Sequence, residues 1–356
     1  RFSENLNQIT IPGAMADPHE IPVKIRPLYI AYEMIKNTLK PITFWFYDRA
    51  STKFIMNFII ALRGDEESAK RYPICYPLLE PVSPLTFPFN GIDLLFESSR
   101  LNTPVQIGPM AQMGLTAPAT IAGTIAQENA EILAGICVVQ LIKKGTPVCY
   151  GGICHAFDMR SMQIIFGGPE QIIFSIIMTE IGKYYGLPVY INAGLTDSKI
   201  PDAQAGIESG TTLAFGIASG ADIFGHMGIA GADQGASLDM LMLQSEIISY
   251  LERLQHPLSF ENSDFAVDII EKIGPKGSFI SNKHTLEHFK RDLWFPTLLD
   301  RNDFESWKNK GGLSLRKHLI KRREEILSKN SLPSITPDLI RDLEHVVNTA
   351  KNQLLQ

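Results

Sequence analysis

Thiol, phenol, imidazole, carboxylate and guanidinium groups all fall within the run Cys149-Tyr150-Gly151-Gly152-Ile153-Cys154-His155-Ala156-Phe157-Asp158-Met159-Arg160. A second polar segment, Asn192-Ala193-Gly194-Leu195-Thr196-Asp197-Ser198-Lys199-Ile200-Pro201-Asp202-Ala203-Gln204, follows a short apolar stretch and leads to Glu208. A third, His226-Met227-Gly228-Ile229-Ala230-Gly231, has one imidazole among small residues. Cys149, Cys154 and His155 have the donor types of a zinc site, but C-x4-C-H lacks the second ligand pair that makes zinc spacings specific. Two reduced core thiols beside a loop histidine are the preferred reading.

Other groups carry the same double reading. Asp197, Lys199, Asp202 and Glu208 could line a polar pocket or stiffen a rim, and Asp202 stands where it would cap the next helix. Asn192 ends an otherwise apolar strand and should project where chemistry is done. His155 sits in the densest polar loop, and His226 divides between substrate contact and a core hydrogen bond. The aromatics Phe44, Trp45, Phe46 and Tyr47, with Tyr150, Tyr190 and Phe224, could cage a quaternary ammonium by cation–π attraction, or simply pack. The Gly167-Gly168-Pro169-Glu170 turn reads as helix initiation rather than an anion site. No Ser-His-Asp order, P-loop, H-E-x-x-H or dinucleotide fingerprint is present.

The elements that must hold these loops recur regularly. Short β-rich runs occur at 8–11, 42–47, 74–79, 105–110, 148–151, 189–193 and 223–227. Helical patterns fill each gap, at 27–39, 52–71, 91–101, 118–144, 169–185, 202–219 and 235–254. One helix per gap is what neighbouring parallel strands need as a crossover. The expected fold is therefore an α/β (β/α)8 TIM-type barrel over 1–256, with the N-terminal part and its eighth strand lying upstream of Arg1 and the reactive loops at the strand C-termini. A doubly wound sheet is the rival. Thr116 is expected to cap the 118–144 helix, with Pro118 opening it. From 257 to 356 the strand runs stop, charge density rises, and a helical C-terminal extension packed on the barrel is expected, with Lys283 to Gln356 as consecutive amphipathic helices.

Composition narrows the function classes. With 356 residues, 45% of them hydrophobic, the chain can bury a large core. Four scattered cysteines argue against a secreted disulfide scaffold, so the cytoplasm is the expected compartment. A formal charge of −5 gives no reason to bind nucleic acid or an anionic membrane. The apolar stretch 121–142 contains Gln127, Glu128, Asn129, Glu131 and Gln140, which suits a buried helix better than a membrane span.

Taken together, several segments resemble the trimethylamine methyltransferase family of corrinoid-protein methyltransferases, which includes glycine-betaine and other quaternary-amine members. They are Gly108-Pro109-Met110; Thr116-Ala117-Pro118-Ala119-Thr120-Ile121-Ala122-Gly123; Asn129-Ala130-Glu131-Ile132-Leu133-Ala134-Gly135; Tyr150-Gly151; Tyr184-Tyr185-Gly186-Leu187-Pro188; and the run from Thr196 to Gly206. The tail from Gly274-Pro275 through His284-Thr285-Leu286 to Phe295-Pro296 also matches. The resemblance implies a barrel and methyl transfer from a methylated amine to the Co(I) of a corrinoid (cobalamin) that a separate partner protein supplies, with no cofactor or metal bound tightly in this chain. Archetypal members carry pyrrolysine, whereas every residue here is standard. This chain therefore resembles the non-pyrrolysine branch, and a quaternary amine, able to leave as a neutral amine, becomes the expected substrate. Asn192 and His155 are the expected catalytic residues, with Tyr150, Asp197, Lys199, His226, Trp45 and Gln112 around the substrate. For a betaine, the carboxylate holder stays open among Lys199, His226 and Asn192. A homo-oligomer is expected, with the helical tail as its surface. A non-catalytic barrel binding a methylated amine or a corrinoid protein, and a zinc-dependent methyltransferase using Cys149 and Cys154, are the alternatives.

Overall fold

The structure, a computed structural model, describes residues 1–329 and 335–356. Five strands, β1 (Leu78–Leu79), β2 (Val105–Ile107), β4 (Val148–Gly152), β7 (Val189–Asn192) and β8 (Ile223–Gly225), form one sheet in the order β1-β2-β4-β7-β8. Every neighbouring pair is parallel. The order follows the chain without the reversal that defines a doubly wound sheet. Smaller strands sit beyond the sheet's C-terminal ends: β3 (Gln112–Met113), β5 (His155–Asp158) and β6 (Gln163–Ile165) make a three-stranded sheet, and β9 (Ile229–Ala230) pairs with β10 (Gly235–Ala236).

The helices Ile121–Ile142, Pro169–Tyr184 and Ala203–Ser219 are the crossovers of the central strands, and Leu238–Gln255 follows β8. Thr120 caps the first of these through Gly123 N, whereas Thr116 accepts from Gln112 N instead, so the expected cap is displaced by one turn. Asp202 caps Ala203–Ser219. The expected helix 52–71 is two helices, Arg49–Arg63 and Glu66–Arg71, because Gly64 adopts a φ of 88° and Asp65 caps anew.

The runs at 8–11 and 42–47 are not strands. They keep single rungs: Gly13 bridges Thr43 in parallel, Thr43 N donates to Pro12 O, and Ile42 N donates to Ile74 O. Pro12, Pro41, Pro73 and Pro77 have no N–H to give, so the ladder cannot propagate there. After Gln255 the described residues hold six helices and no strand. Leu315–Ser328 packs on Leu238–Gln255, with Arg323 paired to Asp239 at 2.6 Å, and Pro337–Leu354 packs on Arg49–Arg63 and Arg26–Asn37, with Tyr32 donating to Glu344 at 2.7 Å. Residues 330–334 of the expected helical tail lie outside the described residues.

Strand alternation sorts the side chains into two sets. On one face, Ile107 meets the backbone of Gly135, while Ile191 and Phe224 meet Gly216, so the crossover helices lie on that face, close to the strands. Tyr150 belongs to it as well, since its ring abuts Gly182. The other face carries Gln106, Cys149, Tyr190 and Asn192. There Cys149, Ile153 and Tyr190 form a small cluster separate from the main core, with Met110 and Ile223 against it. The Tyr190 hydroxyl occupies the space beside Gly225 where a Cβ would stand, so only glycine fits opposite it. The helix Ile121–Ile142 is long and apolar enough to cross a membrane, but Glu128 and Glu131 are buried and accept hydrogen bonds from the body of the fold. It is a core helix.

Candidate functional site

Asn192, the last residue of β7, lies on the face away from the helices at the C-terminal ends of the strands. Its amide joins two imidazoles delivered by neighbouring loops: Nδ2 is 3.0 Å from His155 Nε2, and Oδ1 is 3.1 Å from His226 Nδ1. His155 Nδ1 lies 3.2 Å from the carbonyl oxygen of Ile165, which can only accept. The proton pattern follows for a neutral His155. Its Nδ1–H donates to Ile165 O, its Nε2 accepts from the Asn192 NH2, and Asn192 Oδ1 accepts from His226 Nδ1–H. His226 Nε2 then carries a lone pair and is the free end of the chain.

The rest of the site keeps this chain in place. Phe166 packs edge-on against His155 with ring centroids 4.3 Å apart, and Tyr190 stands edge-on to His226 at 6.1 Å. Gln171 donates to Asn192 O at 3.0 Å, while its own Oε1 is buried without a partner. His226 adopts a φ of 69°, a left-handed conformation unusual for a side chain of this size and common at functional sites. Glu128 reaches up from its helix to accept from Ala111 N at 3.1 Å and Ile153 N at 3.0 Å, tying the ends of β2 and β4 to one carboxyl.

Burial holds both imidazoles neutral. His155 is fully buried and its pKa is pushed down to about 3, desolvation outweighing the Ile165 carbonyl. His226 is lowered too, again by desolvation, with Asp233 acting in the opposite sense. Yet His226 is solvent-exposed. His226 is thus reached by solvent while the surrounding protein crowds its ring. Glu80, which follows β1, is raised by its own burial and then by Asp233. One carboxylate, Asp233, thus acts on both Glu80 and His226, so two acids and a neutral imidazole share one electrostatic neighbourhood.

The neutrality of His155 has a measurable consequence. A histidine whose folded pKa lies below its unfolded value resists protonation in the fold, so its stabilising share is present above pH 6.5 and is lost as pH falls toward 3. Stability should fall by up to ~1.4 kcal/mol per pH unit below about 6 on this account alone, and His155→Phe should flatten that limb of a denaturant-midpoint profile. An unchanged limb would place the acid sensitivity elsewhere.

The other expected site residues divide. Gln112 is the register partner of His155 in the β3–β5 pair and so neighbours the chain. Asp197 accepts from Phe166 N at 2.9 Å and Gly167 N at 3.3 Å, while Lys199 Nζ donates to Asp197 O at 2.8 Å. The Gly167 amide thus serves the protein's own carboxylate. Glu208 accepts from Thr196 and from Asp197 N, which makes this segment a hydrogen-bonded rim beside Gly231 and Ala232. Tyr150 is not brought to the chain: it lies on the helix-covered face with its hydroxyl on Asn129 Oδ1 at 2.9 Å. Trp45 is 47% exposed on a segment that forms no strand. Cys149 and Cys154 belong to different clusters, and among the described residues no group of three or more His, Cys, Asp or Glu could hold a metal ion, so the zinc arrangement is not formed.

Sequence reasoning passed over Glu80, Asp233 and Gln171, and left Tyr190 among many rings. Tyr190 and Glu80 had a signal in strand alternation, since Tyr190 is two residues from Asn192 and Glu80 two from Leu78. Gln171 and Asp233 had none, because neither belongs to a strand.

A family model described as Trimethylamine methyltransferase (MTTB) matches residues 1–354. The glycine betaine methyltransferase of Desulfitobacterium hafniense (strain Y51) is 32% identical over 333 residues, which are 93% of this chain and 69% of that protein. The trimethylamine methyltransferase MttB of Methanosarcina barkeri (strain Fusaro / DSM 804) is 31% identical over 289 residues, 81% of this chain and 58% of its own length. The MttB of Desulfitobacterium hafniense (strain DSM 10664 / DCB-2) is 28% identical over 342 residues, covering 96% and 68%. The chain thus spans 58 to 69% of the length of these relatives.

Proposed function

The chain belongs to the trimethylamine methyltransferase family, and from that premise we propose that it moves a methyl group from a quaternary, betaine-like amine to the Co(I) corrinoid of a partner protein docked over the strand C-termini. We infer further that the five parallel strands continue through the single rungs at 74, 42–43 and 12–13 into a TIM-type barrel over 1–256, whose inner face carries Gln106, Cys149, Tyr190 and Asn192, with the helical extension 257–356 against it. In such a barrel the strand C-termini are where reaction sites assemble.

One observation carries the reading: the Asn192 amide joins two imidazoles that burial holds neutral at the strand ends, and the Asp233 carboxylate acts on His226 and on Glu80. A cationic guest gains from the Asp233 carboxylate and loses nothing to imidazolium repulsion. The donor set also suits a reactive methyl acceptor. Burial pushes the Cys149 thiol up to about 12 and the Cys154 thiol well above its usual value, so neither is a thiolate that could take the methyl itself.

The reduced corrinoid supplies the nucleophile that takes the methyl carbon as its bond to nitrogen breaks, and the amine leaves neutral. No proton has to move, so this chain's residues position and exclude water rather than act as acid or base. The Asn192 amide fixes both rings, His226 Nε2 accepts from the hydroxyl of a guest that carries one, as choline and carnitine do, and Asp233 offsets the ammonium charge.

Calorimetry with tetramethylammonium, choline, carnitine and glycine betaine tests the cation half of the reading. Each ammonium compound should bind at least about tenfold more tightly than its tert-butyl isostere, which has the same shape without the positive charge, the ~1.4 kcal/mol expected of one partly desolvated charge contact. Equal binding of cation and isostere sinks it. Binding without methyl transfer in the presence of the corrinoid protein would favour a non-catalytic amine-binding barrel.

A further inference from the structure

A betaine brings two charges to its site, and its carboxylate needs a cation or a set of N–H and O–H donors as firmly as its ammonium needs an acid. The five strands of the central sheet contain no Lys or Arg. The loops that leave their C-terminal ends, at 80–88, 108–120, 153–168, 193–202 and 226–237, contain Arg160 and Lys199 and no other cation. Arg160 is paired with Asp158 in a hairpin turn, with 93% of its side chain exposed. Lys199 Nζ donates to Asp197 O at 2.8 Å, and the charge that acts on His226 is that of Asp233.

The same loops carry acids in excess: Glu80, Asp158, Asp197, Asp202 and Asp233. Asp158 is occupied by Arg160 and Ser161, Asp197 by the Phe166 and Gly167 amides, and Asp202 by the Ala205 amide. Asp233 is left to act on the site. The neutral groups do not replace the missing cation. Asn192 is 1% exposed, and both ends of its amide are taken up by imidazoles. His226 is exposed to solvent, and with its Nδ1–H donating to Asn192 its Nε2 carries a lone pair. A lone pair opposes a carboxylate but accepts from a hydroxyl.

We propose that the guest of this site is a quaternary ammonium alcohol of the choline class, its hydroxyl donating to His226 Nε2 and its ammonium beside Asp233, and that carboxylate-bearing betaines are disfavoured. The inference rests on the methyl-transfer reading and narrows its quaternary amine to one whose arm ends in a hydroxyl. In glycine betaine a single carbon separates the ammonium from the carboxylate, so seating the one near Asp233 brings the other close to the same acid, and juxtaposed like charges repel strongly. In choline the arm ends in a neutral donor instead. Loss of one methyl from choline leaves neutral dimethylaminoethanol: the C–N electron pair stays on nitrogen, the methyl carbon joins the reduced corrinoid, and the hydroxyl keeps its proton.

Calorimetry on the wild-type protein tests the proposal by changing the ligand alone. Choline should bind at least about tenfold more tightly than glycine betaine, and about threefold more tightly than propyltrimethylammonium, in which a methyl replaces the hydroxyl. His226→Phe should erase the second difference, and Asp233→Asn should narrow the first. Glycine betaine that binds as tightly as choline, or choline no tighter than propyltrimethylammonium, would overturn the inference. So would betaine affinity that is lost in Lys199→Met, which would assign the carboxylate to Lys199. In each of these cases the methyl-transfer reading stands as long as the ammonium compounds surpass their tert-butyl isosteres. Choline that binds no better than its tert-butyl isostere removes the cation reading, and this inference with it.

Discussion

Asn192→Ala should lower methyl-transfer kcat by about two orders of magnitude or more while costing the fold only ~1–3 kcal/mol. The expectation follows from geometry. One amide orients both His155 and His226, at 3.0 and 3.1 Å, and is the group that links the two rings. Without it, His155 keeps the Ile165 carbonyl and its contact with Phe166, but His226 loses the acceptor that fixes its tautomer. Displacement of a positioning group by ~1 Å is enough for a hundredfold loss. Asn192→Asp sharpens the point, since it nearly preserves shape but replaces the donor facing His155 Nε2 with a second acceptor. Two lone pairs then oppose each other, or His155 takes up a proton and brings positive charge into a site that suits a cation. Asp should therefore be about as damaging to kcat as Ala, and a nitrogen-15 spectrum should show the His226 tautomer disturbed in Ala, which lacks its acceptor, and the His155 ring disturbed in Asp. If either variant keeps wild-type kcat, or if kcat and melting temperature fall strictly together, Asn192 is a structural residue.

The second large effect concerns stability. Glu128→Ala should destabilise the fold by ~3–5 kcal/mol, because two buried backbone N–H groups, of Ala111 and Ile153, lose their acceptor together and a cavity opens beneath them. A denaturant midpoint measures it, and a loss under ~1 kcal/mol would show that the two amides find other partners. Burial raises the Glu128 carboxyl well above its usual range, against the opposing pull of the two amides. A carboxyl raised in the fold binds its proton more tightly there than when unfolded, so its contribution is fully present below the unfolded value of about 4.5 and declines as pH rises through the folded value. The stability of wild type relative to Glu128→Gln should fall correspondingly as pH rises from about 4.5. This slope is opposite to that of His155, so the two residues can be separated in one pH series.

Much of the frame was legible from β1 onward, since one helix length between apolar runs admits little besides parallel neighbours. The first two strand positions were misleading, because apolar content marks a strand's burial but prolines decide whether it can donate to a ladder. Asn192 and the two histidines could be found because each stands at or just beyond a strand end. Tyr150 could not be placed: in Cys149-Tyr150-Gly151-Gly152 both faces of the strand are buried, so no polar alternation says which side is which. Trp45 was assigned on the premise of a strand that does not form. Glu80 and Asp233 come together only through the fold, from segments more than a hundred residues apart.

The central claim is that the recess around Asn192 and His226 presents a cationic methyl donor to a corrinoid. The most direct measurement mixes the protein with a reduced corrinoid protein and each of glycine betaine, carnitine and choline, following the corrinoid's absorbance and counting the methyl groups lost from the amine. At least one quaternary amine should lose one methyl per corrinoid methylated, with trimethylamine inert and the rate strongly reduced in Asn192→Ala. No absorbance change with any quaternary amine, or transfer at wild-type rate in the absence of the Asn192 amide, would contradict the account.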